Sequence, residues 1–100
     1  MIMEEFLQIA DFQPYLNDKM MIKWSDEYIL PAELIDLRKV ETYTPIDREP
    51  FSIVLRTEQK NEYFKQGICI LQHPAKGDLE LFLVPLGLDD KGMRYQAIFS

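Results

Sequence analysis

Gln66-Gly-Ile-Cys-Ile-Leu-Gln-His-Pro-Ala-Lys-Gly-Asp-Leu-Glu-Leu-Phe-Leu-Val-Pro-Leu-Gly-Leu-Asp-Asp-Lys-Gly-Met-Arg-Tyr-Gln-Ala-Ile-Phe-Ser100 holds three short apolar runs separated by two turn signals. The turns are His73 to Gly77 and Asp89 to Gly92, and the pattern predicts a meander of antiparallel strands. Ile68 and Ile70 are expected to pair with the face carrying Leu79, Leu81 and Leu83, and Tyr95, Ala97 and Phe99 to close the sheet. After Glu80 the middle run is apolar on both sides, leaving Phe82, Val84 and Leu86 opposite the leucines. A strand with one solvated face should carry polar residues there, so this second face needs a cover. The candidates are a short N-terminal helix or another chain, since exposed apolar patches on soluble proteins mark contact sites. Pro85 suggests that the strand ends or lies on an edge at that point.

Working outward, Phe51, Ile53 and Leu55 alternate with Ser52, Val54 and Arg56 as a strand, and Met20, Ile22 and Trp24 alternate with Lys19 and Lys23 as another. Ser25 to Glu27 is a turn. Tyr28 to Val40 is ambiguous: Leu30, Leu34 and Leu37 fall at helical spacing behind Pro31, whereas a strand would put Leu30, Ala32 and Leu34 on one face. The strand reading needs a bulge near Ile35 to bring Leu37 back into line. Glu41 to Pro50 reads as a loop, and Thr57 to Gln66 as a polar connection whose Tyr63 and Phe64 could plug one end of the fold. Asp11 to Asn17 reads as one or two helical turns, with Pro14 in the first turn and Asn17 at a left-handed exit; Met1 to Ala10 either extends it or forms an arm. The segment is expected to act as a lid. Residues 1–100 thus form one mainly β domain: about six antiparallel strands in a small barrel or sandwich with one short N-terminal helix.

Composition narrows the function. A 47% apolar fraction supplies a core, and a formal charge of −6 with scattered basic residues argues against nucleic acid, whose binding requires clustered Lys and Arg. A single cysteine cannot form an internal disulfide, no apolar run spans a bilayer, and Met1 to Phe6 lacks a signal-peptide pattern, so the expectation is a cytoplasmic protein without membrane contact.

No motif for chemistry emerges. His73 reads as an exposed turn residue, because histidine catalysis needs a positioned partner. Cys69 sits among Ile68, Ile70 and Leu71 as a small core residue. A metal shared by Cys69 and His73 is disfavoured, since four residues of strand span roughly 13 Å. Asp89-Asp90, Asp26-Glu27, Glu58 and Glu62 read as solvated carboxylates without calcium-loop spacing. Gly67, Gly77, Gly87 and Gly92 punctuate strands and do not cluster as a phosphate loop. No catalytic, cofactor or metal residue is assigned. The candidate partner surface is Phe82, Val84 and Leu86.

Taken together, Ala10-Asp-Phe-Gln-Pro-Tyr-Leu, Pro50-Phe-Ser-Ile-Val-Leu-Arg, Gln66-Gly-Ile-Cys-Ile-Leu-Gln-His-Pro, Gly77-Asp-Leu-Glu-Leu-Phe-Leu-Val-Pro-Leu-Gly and Tyr95-Gln-Ala-Ile-Phe resemble a family of small uncharacterised bacterial proteins, over nearly the whole chain. The segment matching Tyr28 to Val40 alternates like a strand in that family, which implies a strand here. Cys69 and the long charged loop Thr57 to Lys65 depart from the family pattern. The resemblance carries no established activity and associates such genes with phage-tail-like collar or fibre proteins. The functional expectation is a non-enzymatic interaction or assembly protein, with a protein partner or self-association and no cofactor. The alternative is a small-molecule-binding barrel lined by Trp24, Phe51, Tyr63, Phe64 and Phe82.

Overall fold

A computed structural model describes residues 7–40 and 50–99. Six strands, β1 (Lys19–Lys23), β2 (Ile29–Lys39), β3 (Phe51–Arg56), β4 (Gly67–His73), β5 (Gly77–Leu88) and β6 (Met93–Phe99), close into an antiparallel barrel in the order β1-β2-β3-β6-β5-β4. Two three-strand meanders are joined edge to edge, through β3 against β6 and β1 against β4. Closure gives every strand a neighbour on each side, paired over all or part of its length. Among the described residues no helix is long and apolar enough to cross a membrane.

Alternation sends one side of each strand inward. Met20 and Ile22, Ala32 and Leu34, Ile53 and Leu55, Cys69 and Leu71, Leu79, Leu81 and Leu83, and Ala97 are buried together. Tyr28 to Val40 is strand for most of its length, and the register of β2 against β3 shifts between Leu34 and Asp36. That bulge skips Ile35 and returns Leu37 to the core side, where it packs against the buried cluster. Helical spacing of the leucines was overridden because β2 is paired on both sides, with β1 and with β3.

Two plugs complete the core. At one end, consecutive 3₁₀ turns at Ile9–Asp11 and Gln13–Tyr15 lay Phe12 across Phe51 and Phe99, with ring centroids 5.8 and 5.6 Å away. Phe12 and Leu7 are fully buried, so the segment is a lid over the barrel mouth. The Asp11 carboxylate accepts the Gln8 N–H at 2.8 Å, and Asn17 leaves the turns at φ 74° with its N–H donated to Leu34 O at 2.7 Å. At the other end the connection from β3 to β4 crosses the barrel. Phe64 stacks on Trp24 at 4.5 Å and donates its N–H to the Tyr95 hydroxyl at 3.0 Å, while Tyr95 donates to Gln59 Oε1 at 2.7 Å. Tyr63 does not share this role and stays exposed. Gly92 is required beneath the connection, because a Cβ there would fall 1.8 Å from Thr57 O.

Two expectations about the meander are corrected. Ile68 and Ile70 do not share the leucine face: the register pairs Ile68 with Phe82 and Ile70 with Glu80, while Cys69 faces Leu81 and Leu71 faces Leu79. Pro85 neither ends β5 nor marks an edge. It pairs with Tyr95 and sits at a register shift before Gly87, and a bulge of this kind is where a strand accommodates proline. The loop expected over Glu41 to Pro50 lies, for residues 41–49, outside the described residues, as do residues 1–6 of the N-terminal arm.

Candidate protein interface

The outward positions of β4, β5 and β6 carry several exposed apolar side chains. Ile68, Phe82 and Ile98 are 59%, 48% and 58% exposed, and Val84 beside them is half-buried. Ile68 and Phe82 are direct cross-strand partners. Val84 opposes Gln96 where the pairing of β5 with β6 ends; Phe82 and Ile98 each lie two residues beyond that pair on the outward side of their strands. Three strands therefore present a row of apolar side chains, Ile68, Phe82 and Ile98, with Val84 below it. The lid covers the barrel mouth and leaves this row bare.

Leu86, expected beside Phe82 and Val84, lies past a break in the strand's alternation. The shift between Pro85 and Gly87 breaks the alternation at Leu86, and Gly87 takes φ 119°, a conformation that favours glycine. Leu86 instead lines a surface cavity of about 280 Å³ with Tyr63, Pro85, Gly87 and Met93. Ile68 and Ile98 were missed from the sequence, although both had a phase marker. Gln72 shares the side of Ile68, and Gln96 the side of Ile98; both polar residues face away from the core.

Charge borders the apolar row unequally. Beyond Phe82 in one direction along β5 come Glu80 and Asp78, both exposed. In the other direction, on β6, comes Arg94, paired in register with Arg56. Arg56 is neutralised: it donates to Asp89 Oδ2 at 2.9 Å and Glu33 Oε1 at 3.2 Å. Arg94 is not, and its buried Nε has no hydrogen-bond partner among the described residues. Asp89 is thus no freely solvated turn carboxylate. Its Oδ1 accepts the N–H groups of Lys91 and Gly92 at 2.8 and 2.9 Å. The Lys91 N–H is the largest cause holding its carboxyl down at about 2; partial burial opposes it, and Arg56 and Gly92 reinforce it. A second cavity, of about 150 Å³, lies beside this network, between Lys19, Glu33, Arg56, Thr57, Glu58 and Lys91.

The residues best suited to chemistry are committed to the fold. His73, expected in solvent, is only 4% exposed. Its Nε2 lies 2.7 Å from Asp11 O, and its Nδ1 accepts the N–H groups of Ala75 and Lys76, both at 3.0 Å. A carbonyl can only accept and amides only donate, so the ring is the neutral Nε2–H tautomer and has no nitrogen left for a substrate. Phe12 and Tyr15 meet it edge-on at 5.2 and 4.9 Å. Cys69 points into the core, where burial pushes its thiol up to about 12 and keeps it from acting as a thiolate.

The five aromatic residues proposed to line a ligand site do not converge. Phe51 belongs to the lid, Trp24 and Phe64 to the opposite plug, Tyr63 to the surface cavity, and Phe82 to the outer face.

One family model, a domain of unknown function (DUF6916), matches residues 7–99. No curated protein and no solved structure matches the chain.

Proposed function

The chain belongs to the DUF6916 family, and from the geometry of this barrel we propose that it is a non-enzymatic interaction module that docks another protein surface on the outer face of β4, β5 and β6. The observation that carries this reading is the apolar row of Ile68, Phe82 and Ile98, exposed on a barrel whose own lid is spent on its mouth. Burying apolar area is worth about 25 cal/mol per Å², so a contiguous row left in water is stabilised by contact with a complementary surface. The row lies on paired strands, which hold its side chains in fixed positions and make docking inexpensive in entropy. Commitment of His73 and Cys69 to the fold supports a role without catalysis.

The resemblance to genes that adjoin phage-tail-like collar and fibre proteins supplies the partner class to try first, the structural proteins of such a particle. Tagged wild-type protein and an Ile68→Lys/Phe82→Glu variant are exposed to lysate of the native cell, and retained proteins are compared by mass spectrometry. The reading expects a stoichiometric protein kept by the wild type and absent from the variant. Equal retention by both, or none by either with the wild type monomeric at high concentration, would overturn it.

A further inference from the structure

Resting on that reading, we infer that the occupant of the β4-β5-β6 face is a second copy of this chain, set across a two-fold axis that runs in the interface perpendicular to the strands. The argument is self-complementarity. Along the strands the face reads acidic, apolar, basic: Asp78 and Glu80, then Ile68, Phe82, Ile98 and Val84, then Arg94. Two copies meeting face to face are related by an axis lying in the interface, and such a contact uses the same patch twice. An axis parallel to the strands would set acid on acid and arginine on arginine. An axis perpendicular to them reverses one copy, stacks apolar row on apolar row and brings Asp78 and Glu80 of each copy to the Arg94 of the other.

Arg94 gives the arrangement its chemical warrant. Its neighbour Arg56 consumes Glu33 and Asp89, and no carboxylate remains for Arg94 among the described residues. Asp78 and Glu80 likewise hold no ion pair among the described residues. The matching partners are present on the same face, separated by the apolar row, where one molecule cannot join them and two can. The row spans only three strands, roughly 10 Å across, so the contact is smaller than that of a permanent complex and the dimer is weak and reversible.

Sedimentation equilibrium of the purified chain, taken up to roughly 1 mM to reach weak association, tests this. The wild type should rise towards twice the monomer mass. Arg94→Glu should weaken association about tenfold or more, a change equal to one charge-assisted contact. The combined Asp78→Arg/Glu80→Arg/Arg94→Glu variant, with the charges exchanged, should recover it. Melting curves establish that each variant is folded. A wild type that stays monomeric at every concentration overturns the second-copy assignment, and if the same protein still captures a lysate partner through Phe82 the interaction reading survives alone. A dimer indifferent to Arg94→Glu, or one the exchanged charges fail to restore, overturns the two-fold arrangement.

Discussion

Ile68 and Phe82 stand directly opposite each other on β4 and β5, 59% and 48% exposed, while Cys69 and Leu81 one residue further along form the buried pair behind them. The same two strands thus carry two apolar layers, one that folds the barrel and one that the fold does not use.

Phe12 and His73 hold the lid from two directions. Phe12→Ala removes a fully buried ring between Phe51 and Phe99, and unfolding in urea should show a loss of about 3–5 kcal/mol. His73→Ala strands Asp11 O and the N–H groups of Ala75 and Lys76, and should cost about 1–3 kcal/mol in the same measurement. A barrel as stable as wild type after either change would show that the lid is not part of the core.

Asp89 sets an acid limb. Its carboxyl is held down at about 2 in the folded chain, against about 3.9 for an unfolded aspartate. A depressed carboxylate contributes stability that is complete above the unfolded value and is lost as pH falls through the folded one. Denaturant midpoints between about pH 4 and pH 2 should therefore fall more steeply for wild type than for Asp89→Asn, and the two slopes should converge above that range.

Cys69 sets an alkaline one. The buried thiol stays protonated up to about 12, whereas an unfolded cysteine ionises near 8.5. Stability from the neutral thiol is complete below the unfolded value and is lost as pH rises towards the folded one, and Cys69→Ala should lack that component. At pH 8 an aromatic disulfide reagent should label native protein about a thousandfold more slowly than urea-unfolded protein, since only the thiolate reacts. Prompt labelling of the native chain would place Cys69 outside the core.

Much of this architecture was legible in the sequence because polar residues mark the phase of each strand. Lys19 and Lys23 set β1, Ser52 and Arg56 set β3, and the need to realign Leu37 located the β2 bulge at Ile35. The phase of β4 failed because Ile68, Cys69, Ile70 and Leu71 are all apolar, and isoleucine outranks cysteine as an expected core residue. Only Gln72 marks the true outward side, and its weight was too small against two isoleucines. His73 was misread for a different reason. Its partner carbonyl on Asp11 lies 62 residues away in the chain, so no local pattern could reveal that the ring was buried. Of the candidate surface, the outward placement of Phe82 and Val84 followed from alternation past Glu80, the alternation breaks at Leu86 because of the bulge, and Ile98 was overlooked beside the inward Tyr95, Ala97 and Phe99.

On the proposed reading, Ile68 and Phe82 serve contact and not folding. The most direct measurement is the melting temperature of Ile68→Lys/Phe82→Glu beside its weight-average mass, each compared with wild type. Exposed positions on paired strands tolerate charge, so the variant should melt within about 5 °C of wild type, a change of roughly 1 kcal/mol for a domain of this size, and should remain monomeric at concentrations where wild type associates. A variant that melts far below wild type would make Ile68 and Phe82 part of the fold, and one that associates equally well would remove them from the contact.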